Sequence, residues 1–212
     1  MSPQAGVTIQ TQFETAAQQR EADQLGMWLF LATEALLFGG IFAGYLGYRV
    51  LHPETFAAAA AHMKVGLGTL NTAVLLTSSL TVALAHHLVQ QGRRRATLVL
   101  LGATIALGCA FLAIKALEYT LEFREGLMPL PGLEFRYDGP PPGQMFFNLY
   151  YTMTGLHALH LTVAVVMMAV ISVLVWRWRT PDRQARQVEM AGLYWHFVDI
   201  VWLFVYPALY LV

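Results

Sequence analysis

A few titratable side chains stand in stretches too apolar to solvate them. Glu34 lies in LGMWLFLATEALLFGGIFAGY, Lys115 and Glu118 in FLAIKALEY, His157 and His160 in TGLHALH, and His196 and Asp199 in YWHFVDIVW. Carboxyls and imidazoles in such surroundings can exchange protons, and a pair of imidazoles one helical turn apart can hold a transition metal. Each group also has a plainer use, because a polar side chain inside a helix bundle can simply hydrogen-bond a neighbouring helix. Choosing between these uses requires the elements that carry the residues.

Those elements are set by composition. Of 212 residues, 57% are hydrophobic and 12% are charged, against roughly 25% charged in soluble domains. Net charge is zero, which gives no sign of nucleic-acid binding, and the single cysteine, Cys109, excludes a disulfide framework or a thiolate metal site. Crossing about 30 Å of hydrocarbon takes about 20 apolar residues. Five segments qualify, at about 25–50, 66–89, 97–119, 145–176 and 191–212, and they are too long and too continuous to be strands. The expected fold is all-α: one integral membrane bundle of five transmembrane helices over residues 25–212, after a polar cytoplasmic segment, 1–24. That segment lacks the basic-then-apolar order of a cleavable signal, so the first span is expected to be its own insertion signal.

An odd number of spans separates the termini, and the basic residues give a direction. Arg20, Arg93, Arg94, Arg95, Arg177, Arg179, Arg183 and Arg186 fall on the N-terminal side, and Arg49, Lys64, Arg124 and Arg136 on the other. By the positive-inside rule the N-terminus is inside and the C-terminus outside.

With that orientation, Glu34 sits about 14 Å from the inner end of its span at 1.5 Å per residue. A carboxylate there costs a few kcal/mol and reads as functional by default; the alternative is a neutral, hydrogen-bonded acid that joins helices. His157, His160, His196 and Asp199 come to a similar depth. They are expected to form a buried polar network with His196 and Asp199 satisfying one another or a neighbouring helix, and no metal site is assigned. Lys115 and Glu118 are expected as an i, i+3 ion pair at the outer interface, with Lys115 snorkelling to water. His86, His87, Arg93, Arg94 and Arg95 mark the inner end of the second span and suit anionic lipid headgroups. Gly39, Gly40, Gly44 and Gly47 form a small-residue stripe where a helix or a lipid chain can approach closely.

Five ordered stretches, WLFLATEALLFGGIFAGY, LNTAVLLTSSLTVALAHH, FLAIKALEY, MTGLHALHLTVAV and YWHFVDIVWLFVYPALYL, resemble subunit III of the haem-copper oxidases in its short five-helix bacterial form. The resemblance covers all five spans, and WHFVDIVW is its strongest marker. It implies an accessory, non-redox subunit of a respiratory terminal oxidase in the bacterial cytoplasmic membrane, associated with catalytic subunit I and subunit II. Haem and copper would belong to those partners. Cytochrome c would reach the complex but not this chain, and phospholipid would be bound. The resemblance places Glu34 on the family's carbodiimide-reactive glutamate, in a subunit that sustains proton uptake by the catalytic subunit. Longer members have two additional N-terminal helices that wall a lipid cleft, and this chain is expected to follow the form without them. A quinol-oxidase subunit III and the accessory protein of nitric oxide reductases share the five-helix plan. From other classes, a stand-alone proton-coupled transporter with Glu34, His157 and Asp199 as relay lacks inverted repeats here, and a membrane metalloenzyme would have to show stoichiometric metal.

Overall fold

The computed structural model describes residues 15–129, 135–177 and 181–211, and among these there is helix and no strand. Six helices follow one another: α1 (Ala16–Leu51), α2 (Pro53–Ala60), α3 (Val65–Gln90), α4 (Arg94–Glu125), α5 (Gly143–Arg177) and α6 (Pro181–Tyr210). All except α2 are long and apolar enough to cross a membrane. The Thr15 hydroxyl caps α1 by accepting from the Gln18 N–H at 3.1 Å. At the far end of α4, Gly126 adopts φ +74°, with Leu127 N–H bonded to the Glu122 carbonyl and Gly126 N–H to that of Phe123. This closing pattern needs the left-handed glycine.

The helices outrun the expected spans. α1 starts at Ala16, inside the stretch expected to be a polar cytoplasmic segment, α4 runs to Glu125 instead of 119, and α6 starts at Pro181 instead of 191. Charge marks where a helix leaves hydrocarbon, not where its hydrogen bonding stops. The 51–65 connection also folds: Pro53 opens α2 at its first turn, and Thr55, Phe56, Ala59 and Ala60 bury one face of it. Phe56 meets Tyr45 of α1 and Phe146 of α5 edge-on, with ring centroids 5.4 and 5.5 Å apart.

α3, α4, α5 and α6 pack closely on one another. Glycine permits this at two crossings. A Cβ on Gly108 of α4 would lie 2.7 Å from Val165 and 2.8 Å from Trp195, and one on Gly68 of α3 would lie 2.9 Å from Tyr206. Indole nitrogens then tie α6 to α3: Trp195 Nε1 donates to Ser78 at 3.1 Å and Trp202 Nε1 to Thr72 at 3.0 Å. α1 is held more loosely, against α2, α5 and α6. It turns a narrow stripe inward, with Leu31, Phe38 and Tyr45 at seven-residue steps, and presents Leu25, Trp28, Leu36 and Val50 outward. Large exposed apolar side chains on this scale suit hydrocarbon, not water. The glycine stripe of α1 faces the same way: a Cβ on Gly39, Gly40, Gly44 or Gly47 would meet nothing within 4 Å.

Candidate functional site

The most enclosed polar site lies where α4, α5 and α6 meet at the Glu125 end of the bundle. Lys115, Glu118 and Glu122 of α4 fall at i, i+3 and i+7 on one face, with 2%, 0% and 0% of their surface exposed. Lys115 Nζ donates to Glu118 Oε2 at 3.0 Å, Tyr150 Oη at 3.0 Å and Tyr210 Oη at 2.5 Å. Tyr210 Oη donates to Glu118 Oε1 at 2.7 Å. Tyr150 Oη donates to Glu122 Oε1 at 2.7 Å, and Tyr151 Oη to Glu122 Oε2 at 2.8 Å. The ammonium also lies over the rings of Tyr150 and Trp202, 4.8 and 5.5 Å from their centroids.

This corrects the expected interfacial pair. Lys115 and Glu118 do form the i, i+3 bridge, but Lys115 does not snorkel. α4 continues to Glu125, which puts Lys115 about 15 Å from the helix end at 1.5 Å per residue, and three tyrosine hydroxyls close over the charges. Glu122, Tyr150, Tyr151 and Tyr210 were not singled out in the sequence. Glu122 carried a signal, since it continues the Lys115–Glu118 face by one turn. The tyrosines come from distant segments and carried none.

Glu34 meets one of the expected histidines. Its Oε2 lies 2.9 Å from His160 Nε2, with side-chain exposures of 19% and 12%, so the contact is mostly covered at the seam between α1 and α5. His160 Nδ1 is turned to the Leu156 carbonyl at 2.8 Å, which fixes the ring for the carboxyl. Phe38 stands edge-on to that ring at 5.1 Å.

The other three expected members do not join a common network. His157 is one turn from His160, yet it faces the core between Phe111 and Trp202, at 5.5 and 5.1 Å between ring centroids. Both its ring nitrogens are buried with no hydrogen-bond partner among the described residues. A three-residue step turns about 60° around a helix, enough here to split a core position from a seam. His196 and Asp199 do not bond one another either. His196 Nδ1 pairs with Ser79 Oγ of α3 at 2.7 Å, and the Asp199 carboxyl turns to the same serine. Ser79 belongs to a neighbouring helix, the other partner expected for this pair. Among the described residues no three His, Cys, Asp or Glu side chains are grouped to hold a metal ion.

The family model of cytochrome c oxidase subunit III matches residues 6–124 and 142–212, nearly the whole chain. The chain belongs to the cytochrome c oxidase subunit III family. Cytochrome c oxidase subunit 3 of Thermostichus vulcanus is 31% identical over 191 residues, covering 88% of this chain and 86% of that protein. The same subunit of Alkalihalophilus pseudofirmus is 31% identical over 193 residues, covering 88% and 85%. Cytochrome bo(3) ubiquinol oxidase subunit 3 of Pseudomonas aeruginosa is 30% identical over 186 residues, covering 88% and 83%. With five membrane-length helices, the chain is a multi-pass membrane protein and a subunit III of the haem-copper oxidase kind.

Two further features of this subunit III lie at the helix ends opposite the Lys115 cluster. His86 Nε2 is 3.0 Å from Gln90 Nε2 and His87 Nε2 is 2.8 Å from Gln91 Nε2, each within its own chain segment at the end of α3. Nearby, α1, α5 and α6 enclose a cleft of about 700 Å³. Met167, Val170, Ile171 and Leu174 form its apolar wall, and Arg183 and Arg186 stand at its rim. Arg186 is 4.0 Å from Asp23 of α1.

Proposed function

We propose that this chain is the non-redox accessory subunit of a cytochrome c-oxidising haem-copper oxidase, working through contact with the catalytic subunit and with phospholipid. The observation that carries the proposal is the Glu34–His160 contact at 2.9 Å. It closes the seam between the loosely held α1 and the bundle, at a carboxyl within reach of hydrocarbon. A carboxyl so placed suits the carbodiimide-reactive role that the family resemblance gives Glu34, and a part in sustaining proton uptake by a neighbouring subunit.

The cleft between α1, α5 and α6 suits a phospholipid. Its apolar wall would take acyl chains, and Arg183 and Arg186 would take the phosphate by charge-assisted hydrogen bonds. The Arg93–Arg95 cluster and His86 and His87 would add headgroup contacts along the same face. This end of the bundle carries most of the arginines and is assigned to the inside of a bacterial cytoplasmic membrane, with the C-terminus outside. Cytochrome c is assigned as donor, following the names of the Thermostichus and Alkalihalophilus relatives. The ubiquinol oxidase named for the Pseudomonas relative makes quinol the second reading.

Capture of the chain from its own membranes in mild detergent tests this proposal. The expected outcome is co-purification of a haem- and copper-bearing subunit, with oxygen uptake driven by reduced cytochrome c. Uptake driven by quinol alone would replace the donor. Recovery of the chain without any haem protein would overturn the accessory reading.

A further inference from the structure

The tyrosine-wrapped charges at the Glu125 end have no part in the reading above, yet their hydrogen bonds can be counted completely. Lys115 Nζ has three protons and three acceptors: Glu118 Oε2, Tyr150 Oη and Tyr210 Oη. Tyr210 gives its proton to Glu118 Oε1, Tyr150 to Glu122 Oε1 and Tyr151 to Glu122 Oε2. With both carboxyls ionised, every donor is therefore placed, and the enclosed group carries one cation and two anions. A net buried charge is costly. One additional proton would cancel it, and the geometry has a place for that proton.

Tyr150 Oη lies 2.7 Å from Glu122 Oε1 and 3.3 Å from Glu118 Oε1. If Glu122 Oε1 takes the proton, it becomes the donor to Tyr150 Oη, and the Tyr150 hydroxyl turns to Glu118 Oε1. Every donor again has an acceptor. The geometry points to a one-proton store: the Lys115–Glu118–Glu122–Tyr150 group binds and releases a single proton, and its two states differ by the direction of the Tyr150 hydroxyl. In uptake, an O–H bond forms on Glu122 and the proton comes from water; release reverses this. Tyr151 is only partly buried and bonds Glu122 Oε2, so it is the link to the surface. At the same end of the bundle, Lys64 and Glu125 form an ion pair at 2.7 Å, with 36% and 43% of their side chains exposed.

The titratable groups facing the store are Tyr119 of α4, which bonds Thr154 of α5 at 2.6 Å, Tyr150, Tyr151 and His157 of α5, and Tyr206 and Tyr210 of α6. His157 is fully buried, with both ring nitrogens free of hydrogen-bond partners among the described residues. It lies against Trp202, the ring that Lys115 also covers.

Infrared difference spectra of the chain, purified with whatever subunits accompany it, test the store across a pH series in light and heavy water. Glu122→Gln should remove one protonated-carboxyl band that titrates with pH, whereas Glu34→Gln and Asp199→Asn should leave that band in place. A Glu122 that stays ionised at every pH, or stays protonated at every pH, would overturn the store and leave a structural lock. Should Glu122→Gln fail to assemble, Tyr151→Phe in a ¹³C-glutamate-labelled sample gives the same answer. The titrating band should move to higher wavenumber as its hydrogen bond is lost, and an unmoved band overturns the proposal.

Discussion

The Lys115 cluster and the Glu34–His160 seam use the same kinds of side chain in opposite ways. In the cluster, one cation and two carboxyls, at most 2% exposed, are covered by three tyrosines from two other helices, of which only Tyr151 is partly open. At the seam, one carboxyl and one imidazole meet while keeping 19% and 12% of their surface open, on a helix that otherwise rests lightly on the bundle. The cluster is bound into the packing of α4, α5 and α6, so changing it should damage the fold before it changes any function. The seam can be altered with the fold intact, as a contact serving a neighbouring subunit or lipid requires.

Substitutions should separate the two regions by size of effect. Lys115→Ala leaves buried carboxyls without their cation, and breaking a buried pair costs about 3–5 kcal/mol. The expected result is loss of assembled protein, or a steep fall in its thermal midpoint in detergent. Replacing Lys115 and Glu118 together with Met and Leu should cost less than Lys115→Ala alone; an equal or larger loss would mean that charge pairing is not what holds the site. Gly108→Val should cost about 1–3 kcal/mol by overpacking, because its Cβ would already be 2.7 Å from Val165. Glu34→Ala should change stability by less, about 1 kcal/mol or under for a partly exposed pair. It should leave haem content and initial oxygen reduction of the complex nearly intact, while shortening sustained turnover and removing carbodiimide sensitivity. Complete loss of initial activity in an assembled complex would contradict the accessory role. Smallest of all, Gly40→Ala should fall within about 0.5 kcal/mol, since it meets no atom of this chain; a larger loss seen only in the complex would place a partner subunit on that stripe.

How much of this could be read in the sequence follows from which forces act locally. The five long helices were legible because crossing hydrocarbon demands length and apolar composition, and both are properties of a single stretch. α2 was not, because PETFAAAA is short and its helix is stabilised by packing Phe56 against Tyr45 and Phe146, which come from two other segments. The charged stretch between the expected spans 145–176 and 191–212 falls outside both of them, yet from Pro181 onward it forms the start of α6. Of the polar residues, Glu34, Lys115 and Glu118 were recognisable as out of place, and the Lys115–Glu118 spacing foretold their bridge. Depth was the misleading guide. It put His157, His160, His196 and Asp199 at one level and suggested a network, whereas their helices turn them toward Phe111, Glu34, Ser79 and the α3–α6 interface. The direction of a side chain around its helix is settled by tertiary packing, and one chain's sequence does not contain that angle.

The Tyr45 hydroxyl of α1 donates to the backbone carbonyl of Ala208, one of the carbonyls that the end of α6 leaves without an intrahelical partner. α1 is thus latched by the last turn of α6. Until α5 and α6 are in the bilayer, α1 lacks the two long helices it packs against and has the short α2 beside it. Closure of the bundle over α1 therefore comes late in synthesis: a chain that stalls before Ala208 leaves α1 unlatched in the lipid.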